Sequence, residues 1–106
     1  MNDAFVMRAW GLNLGLVDTK AQNTPDYFKG VQLIPDGHCH FTRGMGMSCT
    51  WEKERGFGER SWRYSAVIND MKVEKLFVEP NRVEDSGPDP FEVSDAATMV
   101  DYLKSQ

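Results

Sequence analysis

The chain has 106 residues, of which 41% are hydrophobic and 26% charged, with a formal net charge of −4. This is the composition of one small soluble domain. The acidic balance argues against nucleic acid or an anionic membrane surface as a partner, and no apolar run approaches the roughly 20 residues that a membrane span requires. The start of the sequence lacks the layout of a signal peptide. Two cysteines are too few for a disulfide scaffold, so we expect a cytoplasmic protein.

A first helix is predicted close to the start of the sequence. Asn2 and Asp3 are favourable N-cap residues, and Gly11 offers a C-terminal stop. Apolar residues at helical spacing lie between them and would form one face: Phe5, Val6, Ala9 and Trp10. This face needs a sheet to pack against.

A loop, one helical turn and one strand are predicted between this helix and residue 37. Residues 12–24 are mixed and indicate a loop, and Thr24 followed by Pro25 favours a helical turn over residues 25–29. The apolar run at residues 31–34 predicts a buried strand, which the turn sequence at 35–37 ends.

A second short helix is predicted from Phe41, Met45 and Met47, although Gly44 and Gly46 weaken it. Residues 48–61 are polar and contain glycine, which indicates a loop.

A β-hairpin and a final helix are predicted in the second half. Residues 62–69 alternate with period two, residues 72–78 form a second strand, and residues 69–71 connect them as a tight turn. After a loop over residues 81–92, Ser94 is the predicted N-cap of a helix with one apolar face. That face comprises Ala96, Met99, Val100 and Leu103. The order helix, strand, helix, hairpin, helix defines an α/β domain with a thin, incomplete sheet.

Ten stretches of the chain, spread from residue 2 almost to the C-terminus, match one family in the same order. They are residues 2–7, 9–11, 35–37, 41–43, 45–47, 56–58, 60–65, 73–75, 78–80 and 89–96. In these stretches the chain resembles the peroxiredoxins, in particular the redoxin-domain group of the peroxiredoxin-five-like type and the bacterial peroxiredoxin–glutaredoxin hybrids. The resemblance implies a thioredoxin-like α/β fold truncated at its N-terminus, with residues 1–106 as the C-terminal portion of a redoxin domain.

The resemblance also implies an activity and the partners for it. Family members reduce hydrogen peroxide and alkyl hydroperoxides with a cysteine thiolate in a Thr-x-x-Cys motif, which thioredoxin, glutaredoxin or glutathione regenerates without any cofactor. This sequence contains no such motif, since Gly-His precedes Cys39 and Met-Ser precedes Cys49. The resemblance implies an antioxidant thiol peroxidase by descent, but the 106 residues alone are expected to be inactive. The alternative is an inactive fragment that serves as a binding or interaction module.

Arg63 is the catalytic candidate. It stands immediately before Tyr64 and Ser65, where the resemblance places the active-site arginine of the family, and a guanidinium offers a rigid fork of donors to peroxide oxygens. We expect it to be partly sheltered and held by a carboxylate or a carbonyl. The alternative interpretation is an ordinary outward-facing strand residue.

Cys39 is a second candidate, as a reactive thiol. It lies between His38 and His40 near a predicted helix start, and both a helix N-terminus and imidazolium groups lower a thiol pKa. The alternative is an inert cysteine. A metal site is disfavoured because adjacent residues do not converge on one ion, and a disulfide to Cys49 is disfavoured in a reducing compartment.

The predicted elements leave apolar surface and strand edges without neighbours. Such surfaces favour association, so a homodimer or a larger assembly is expected.

Overall fold

The structure is a computed structural model and describes residues 2–17, 20, 30–51, 56–84 and 91–106. Its elements in chain order are α1 (Ala4–Asn13), α2 (His40–Gly44), β1 (Ser48–Trp51), β2 (Gly58–Ser61), β3 (Tyr64–Asn69), β4 (Lys72–Val78) and α3 (Ala96–Lys104). The strands within these ranges form two antiparallel hairpins, β1–β2 and β3–β4. The domain is therefore α/β, as predicted, but with a different element order. None of the described helices is long and apolar enough to cross a membrane.

Helix α1 begins where predicted and ends later. The carboxylate of Asp3 accepts a hydrogen bond of 2.9 Å from the Val6 N–H and caps the helix. The predicted stop at Gly11 is wrong, because the helix continues to Asn13 and buries Gly11 on its inner face. A Cβ atom at Gly11 would lie 3.4 Å from the Val17 side chain. The absence of a side chain at Gly11 therefore lets Val17 pack closely against the helix.

The predicted apolar face of α1 is exposed. Phe5 is 86% exposed, and Val6 and Trp10 are also exposed. The inner face is formed instead by Met7 and Gly11. The large apolar side chains of α1 thus lie outside the core of the described chain.

The strand predicted at residues 31–34 is wrong. Residues 31–36 have no regular structure, and Ile34 is 71% exposed. An apolar run becomes a strand only where another strand satisfies its backbone groups, and no described strand pairs with it. The helical turn predicted at 25–29 lies outside the described residues.

Helix α2 confirms the second predicted helix in a shorter form. It spans five residues and excludes both Met45 and Met47. Met47 is buried just before β1.

The loop predicted for residues 48–61 is wrong, since this segment contains the β1–β2 hairpin. Its register pairs Ser48 with Ser61 and Trp51 with Gly58. The polar composition hides the strands, and they form because Cys49 is fully buried and the ladder satisfies the backbone. Tertiary burial overrides local propensity here.

The β3–β4 hairpin confirms the prediction. Asn69 pairs with Lys72, and the two residues between them, Asp70 and Met71, have φ angles of 50° and 65°. Positive φ at both central residues is what a type I′ turn requires. The first strand of the hairpin is shorter than the predicted 62–69, because β3 begins at Tyr64.

Helix α3 is capped by Asp95 and not by the predicted Ser94. The Asp95 carboxylate accepts hydrogen bonds from the Thr98 N–H at 3.0 Å and from its hydroxyl at 2.6 Å. The helix lies against β4 through Tyr102, whose ring meets Phe77 edge-on at 5.9 Å.

Candidate functional site

The backbone at Arg63 is fixed where the two hairpins meet. The N–H of Trp62 donates to the Met47 carbonyl and its indole Nε1–H to the Glu79 carbonyl, both at 2.7 Å. The Glu79 N–H in turn donates to the Arg63 carbonyl at 3.1 Å. Trp62 is buried and stacks on Trp51 with 6.5 Å between ring centroids. Arg63 therefore projects from a rigid junction between β2 and β3.

The side chain of Arg63 lies over an aromatic ring. Its guanidinium carbon is 4.9 Å from the centroid of Phe91, a distance typical of a cation–π contact. Arg63 is exposed in this chain, so the expected partial shelter is not observed.

Glu79 is the buried carboxylate of this region. It is 1% exposed, yet its two oxygens accept three backbone N–H groups, from Glu92 at 2.6 Å, Val93 at 2.9 Å and Ser94 at 2.7 Å. Burial alone would raise the pKa of Glu79, but the hydrogen bonds outweigh it and hold the pKa at about 2. The carboxylate thereby ties the end of β4 to the residues that follow Phe91.

Sequence reasoning missed the role of Glu79, which directly follows the strand predicted at residues 72–78. Alternation along β4 gives a signal, because Lys75, Phe77 and Glu79 share one face. Lys75 and Phe77 lie against Tyr102 of α3. An acid on a face that packs against a helix requires donors.

Cys39 is buried, and its environment opposes reactivity. It is 4% exposed, adopts a left-handed φ of 61° before α2, and its Sγ lies 3.6 Å from the Glu59 carbonyl. Burial raises the pKa of the Cys39 thiol, and the carboxylates of Glu59 and Asp36 raise it further. This direction is opposite to the lowering expected from the helix start and the histidines.

The N-terminus of α2 is already occupied by Asp36. Its carboxylate accepts the Phe41 N–H at 3.1 Å, the Thr42 N–H at 3.0 Å and the Thr42 hydroxyl at 2.6 Å. The Thr42 hydroxyl contributes most to the lowering of the Asp36 pKa. The partial positive charge of this short helix therefore serves a carboxylate and not the thiol.

A second carboxylate, Glu59, links α2 to the β1–β2 hairpin. The Glu59 carboxylate accepts hydrogen bonds from Nε of Arg43, at 2.8 Å, and from Nη2 of the same side chain. The Ser48 hydroxyl donates to it as well. The Arg43 hydrogen bonds, followed by that of Ser48, lower the pKa of Glu59 to about 2.

The other sulfur and imidazole groups form no shared site within the described ranges. The rings of His38 and His40 stack at 5.7 Å, and no three acidic, His or Cys side chains of the described residues are arranged to hold a metal ion. Cys39 and Cys49 are both free thiols. Cys49 is fully buried, its Sγ donates to the Val83 carbonyl at 3.3 Å, and burial raises its pKa.

A cleft of about 340 Å³ lies between the segment before α2 and the start of β3. Its apolar lining includes Ile34, Phe41 and Tyr64, and polar groups are provided by Asp36 and Ser61. An apolar cleft with a few polar groups is the usual form of a binding site for small molecules or side chains.

Comparison with known proteins identifies relatives along nearly the whole chain. The chain is 47% identical to a peroxiredoxin of Synechocystis over 104 residues and 45% identical to a hybrid peroxiredoxin of Haemophilus influenzae over 106 residues. These alignments cover 98% and 100% of this chain, but 48% and 37% of the relatives. The chain thus spans about half of the length of the first of these relatives and less than half of the second. No protein-family model matches the chain.

Solved structures show the same fold. The antioxidant protein of Plasmodium falciparum, a 1-Cys peroxiredoxin, superposes with a TM-score of 0.76 at 24% identity, over 99% of this chain and 54% of that one. Reduced Prx3 of Vibrio vulnificus, solved in complex with hydrogen peroxide, superposes with a TM-score of 0.63 at 33% identity, over 97% and 51% of the two chains. The fold is therefore of the thioredoxin-like α/β type, as predicted.

Proposed function

The chain belongs to the peroxiredoxin family, and from this premise we propose that it supplies the peroxide-binding arginine of a thiol peroxidase. In this proposal it is the C-terminal portion of a redoxin domain and Arg63 is its catalytic residue. The substrates are hydrogen peroxide and alkyl hydroperoxides, and the reductant is thioredoxin, glutaredoxin or glutathione.

The observation that carries this proposal is the placement of Arg63. Its backbone is tied to Glu79 and it projects from a fixed junction between two hairpins. Its guanidinium lies over the Phe91 ring. A guanidinium that is always charged and whose backbone is held in place suits the stabilisation of negative charge that develops on a peroxide oxygen.

The reaction requires a thiolate as the electron donor. The sulfur attacks one peroxide oxygen, the O–O bond breaks as an S–O bond forms, and the released hydroxide or alkoxide takes up a proton. The cysteine is oxidised to sulfenic acid and the peroxide is reduced. Arg63 would donate hydrogen bonds to the peroxide oxygens as the negative charge moves to the leaving oxygen.

The nucleophile of this reaction is proposed to lie on a polypeptide with a Thr-x-x-Cys motif, which this sequence does not contain. Cys39 is the other candidate nucleophile, but its burial and raised pKa oppose this role because the thiolate is the reactive form.

The test measures peroxide consumption with a thioredoxin system. We expect no turnover by the 106-residue chain alone, and turnover when it is combined with a peroxiredoxin segment that carries the Thr-x-x-Cys motif. Rapid turnover by the chain alone that is lost in Cys39→Ser would move the nucleophile to Cys39. Absence of turnover from a combination that is shown to associate would contradict the proposal.

A second candidate function is an inactive binding or interaction module. The observation that favours it is the apolar cleft beside Phe41 and Tyr64, together with two buried thiols. The same experiment separates the two functions, since a binding module gives a stable complex without peroxide turnover.

The proposal extends to the assembly of the chain and to its compartment. The exposed side chains of Phe5, Trp10 and Ile34 support a homodimer or a larger assembly, since apolar patches of this kind favour association. Two free thiols support a reducing cytoplasm. Sedimentation that shows a compact monomer at micromolar concentration would contradict the assembly.

A further inference from the structure

We infer that Glu79 and Phe91 are positioning residues that set the orientation of the Arg63 guanidinium, an inference that rests on the proposed role of Arg63 in peroxide binding. Neither residue needs to touch the peroxide. Glu79 acts through the segment that carries Phe91, and Phe91 acts through its ring.

The ring of Phe91 contacts the guanidinium of Arg63. The guanidinium carbon lies 4.9 Å from the ring centroid, within the range in which a ring attracts a cation over its face. A guanidinium is planar and its N–H donors lie in that plane. A ring can therefore restrict the orientation of the group without competing for the directions in which it donates.

Hydrogen bonds link the backbone that follows Phe91 to the Glu79 carboxylate. The three residues that directly follow Phe91 all donate their backbone N–H groups to the Glu79 carboxylate, at distances of 2.6 to 2.9 Å. Phe91 is exposed, so burial of its own side chain does not hold it in place. The position of its ring depends on the backbone that Glu79 fixes.

Glu79 is also hydrogen-bonded to the backbone of Arg63. The Glu79 N–H donates to the Arg63 carbonyl at 3.1 Å, and the Glu79 carbonyl accepts the Trp62 indole N–H at 2.7 Å. One buried residue thus holds both the backbone that carries the guanidinium and the segment that carries the ring. Loosening Glu79 should change the relative position of the two without removing either.

The test follows the Nε–Hε NMR signal of Arg63 in the full 106-residue chain, identified as the signal that disappears in Arg63→Lys. The ring current of Phe91 shifts protons over its face upfield. We expect Phe91→Leu to move the signal downfield and Phe91→Tyr to restore it. Glu79→Gln, which cannot accept the same three hydrogen bonds, should move it in the same direction as Phe91→Leu.

The matched control is Glu74→Gln, since Glu74 is an exposed carboxylate on β4, the strand that Glu79 directly follows, and this change should leave the signal in place. An Arg63 signal that does not move in Phe91→Leu, or that stays in place in a folded Glu79→Gln chain, would overturn the inference. If Glu79→Gln does not fold, Glu79→Asp replaces it, because this change keeps the carboxylate but withdraws it by one methylene. An unmoved signal in folded Glu79→Asp would likewise overturn the inference.

No peroxide takes part in this measurement, so its failure is distinct from failure of the proposed function. The proposed function fails if Arg63→Lys leaves the turnover of the combined enzyme unchanged. The inference fails if the ring and the carboxylate do not control the Arg63 signal.

Discussion

Glu59, beside α2, and Glu79, beside Arg63, both have a pKa held at about 2, but they reach it by different means. Glu59 is paired with the guanidinium of Arg43, whose side chain is 60% exposed. Glu79 is buried, and backbone N–H groups overcome the effect of its burial. One carboxylate is stabilised by the charge of an exposed side chain and the other by N–H groups of the backbone.

This difference matters because water and salt weaken surface ion pairs, while a buried carboxylate keeps its hydrogen bonds. A buried acceptor also leaves its donors unsatisfied if it is removed. The region around Glu79 is therefore suited to holding the proposed catalytic residue, Arg63, in place. The region around Glu59 and Cys39 connects elements and keeps a thiol buried.

Acid should produce the largest effect. Both glutamates titrate at about 2 in the folded chain, compared with an ordinary value of 4.5, so the folded state binds fewer protons than the unfolded state between these values. Their stabilisation is complete above pH 4.5 and is lost as the pH falls through about 2. We expect the melting temperature, measured by circular dichroism, to fall by on the order of 10 °C or more across this interval. A melting temperature that stays constant would contradict the account of both residues.

Replacement of Glu79 should produce the next largest effect. In Glu79→Gln the amide cannot accept the three N–H groups that the carboxylate accepts, so buried donors lose their partners. We expect a fall in melting temperature on the order of 10 °C at neutral pH, and a weaker dependence on acid than in the parent chain. Glu74→Gln is the control, since that carboxylate is exposed. A Glu79→Gln chain that melts like the control would remove the distinction between the two regions.

Replacement of Glu59 should produce the smallest effect. The Arg43 side chain of this ion pair is 60% exposed and that of Glu59 is 28% exposed, so water screens the pair and we expect Glu59→Gln to lower the melting temperature by only about 2 °C at low salt. In about 1 M salt the difference between variant and parent should vanish, because the Debye length is then roughly 3 Å. A difference in melting temperature that persists at high salt would show that Glu59 acts as Glu79 does.

Much of the fold could be predicted from local sequence signals. The Asp3 cap, the hairpin around Asp70 and Met71 and the presence of the final helix depend on residues close in sequence, and the structure confirms them. The errors in the strands occur where a pairing partner decides. Residues 31–34 have the composition of a strand but no described partner, and residues 48–51 lie in a segment predicted as a loop but pair with β2.

Local sequence likewise indicates only part of the candidate site. The resemblance of residues 60–65 to the family makes Arg63 the catalytic candidate, but nothing local indicates its contact with Phe91, 28 positions later in the sequence. The sequence position of Cys39 favoured a lowered pKa, while its burial against Glu59 raises it. Burial by distant residues, which local sequence does not encode, reverses the expectation.

The central claim, that Arg63 is the peroxide-binding residue, is tested most directly by a pair of arginine substitutions. Arg60 is the matched control, since it lies three residues earlier in the same motif and its guanidinium also lies over a ring, that of Phe57, at 5.8 Å. In the enzyme completed with a Thr-x-x-Cys segment, stopped-flow peroxide consumption should fall about a hundredfold, roughly 3 kcal/mol, in Arg63→Lys. It should stay within about twofold of the parent rate in Arg60→Lys, because lysine keeps the positive charge over the Phe57 ring and the proposal gives Arg60 no part in peroxide binding. Equal rates for both variants and the parent would contradict the claim.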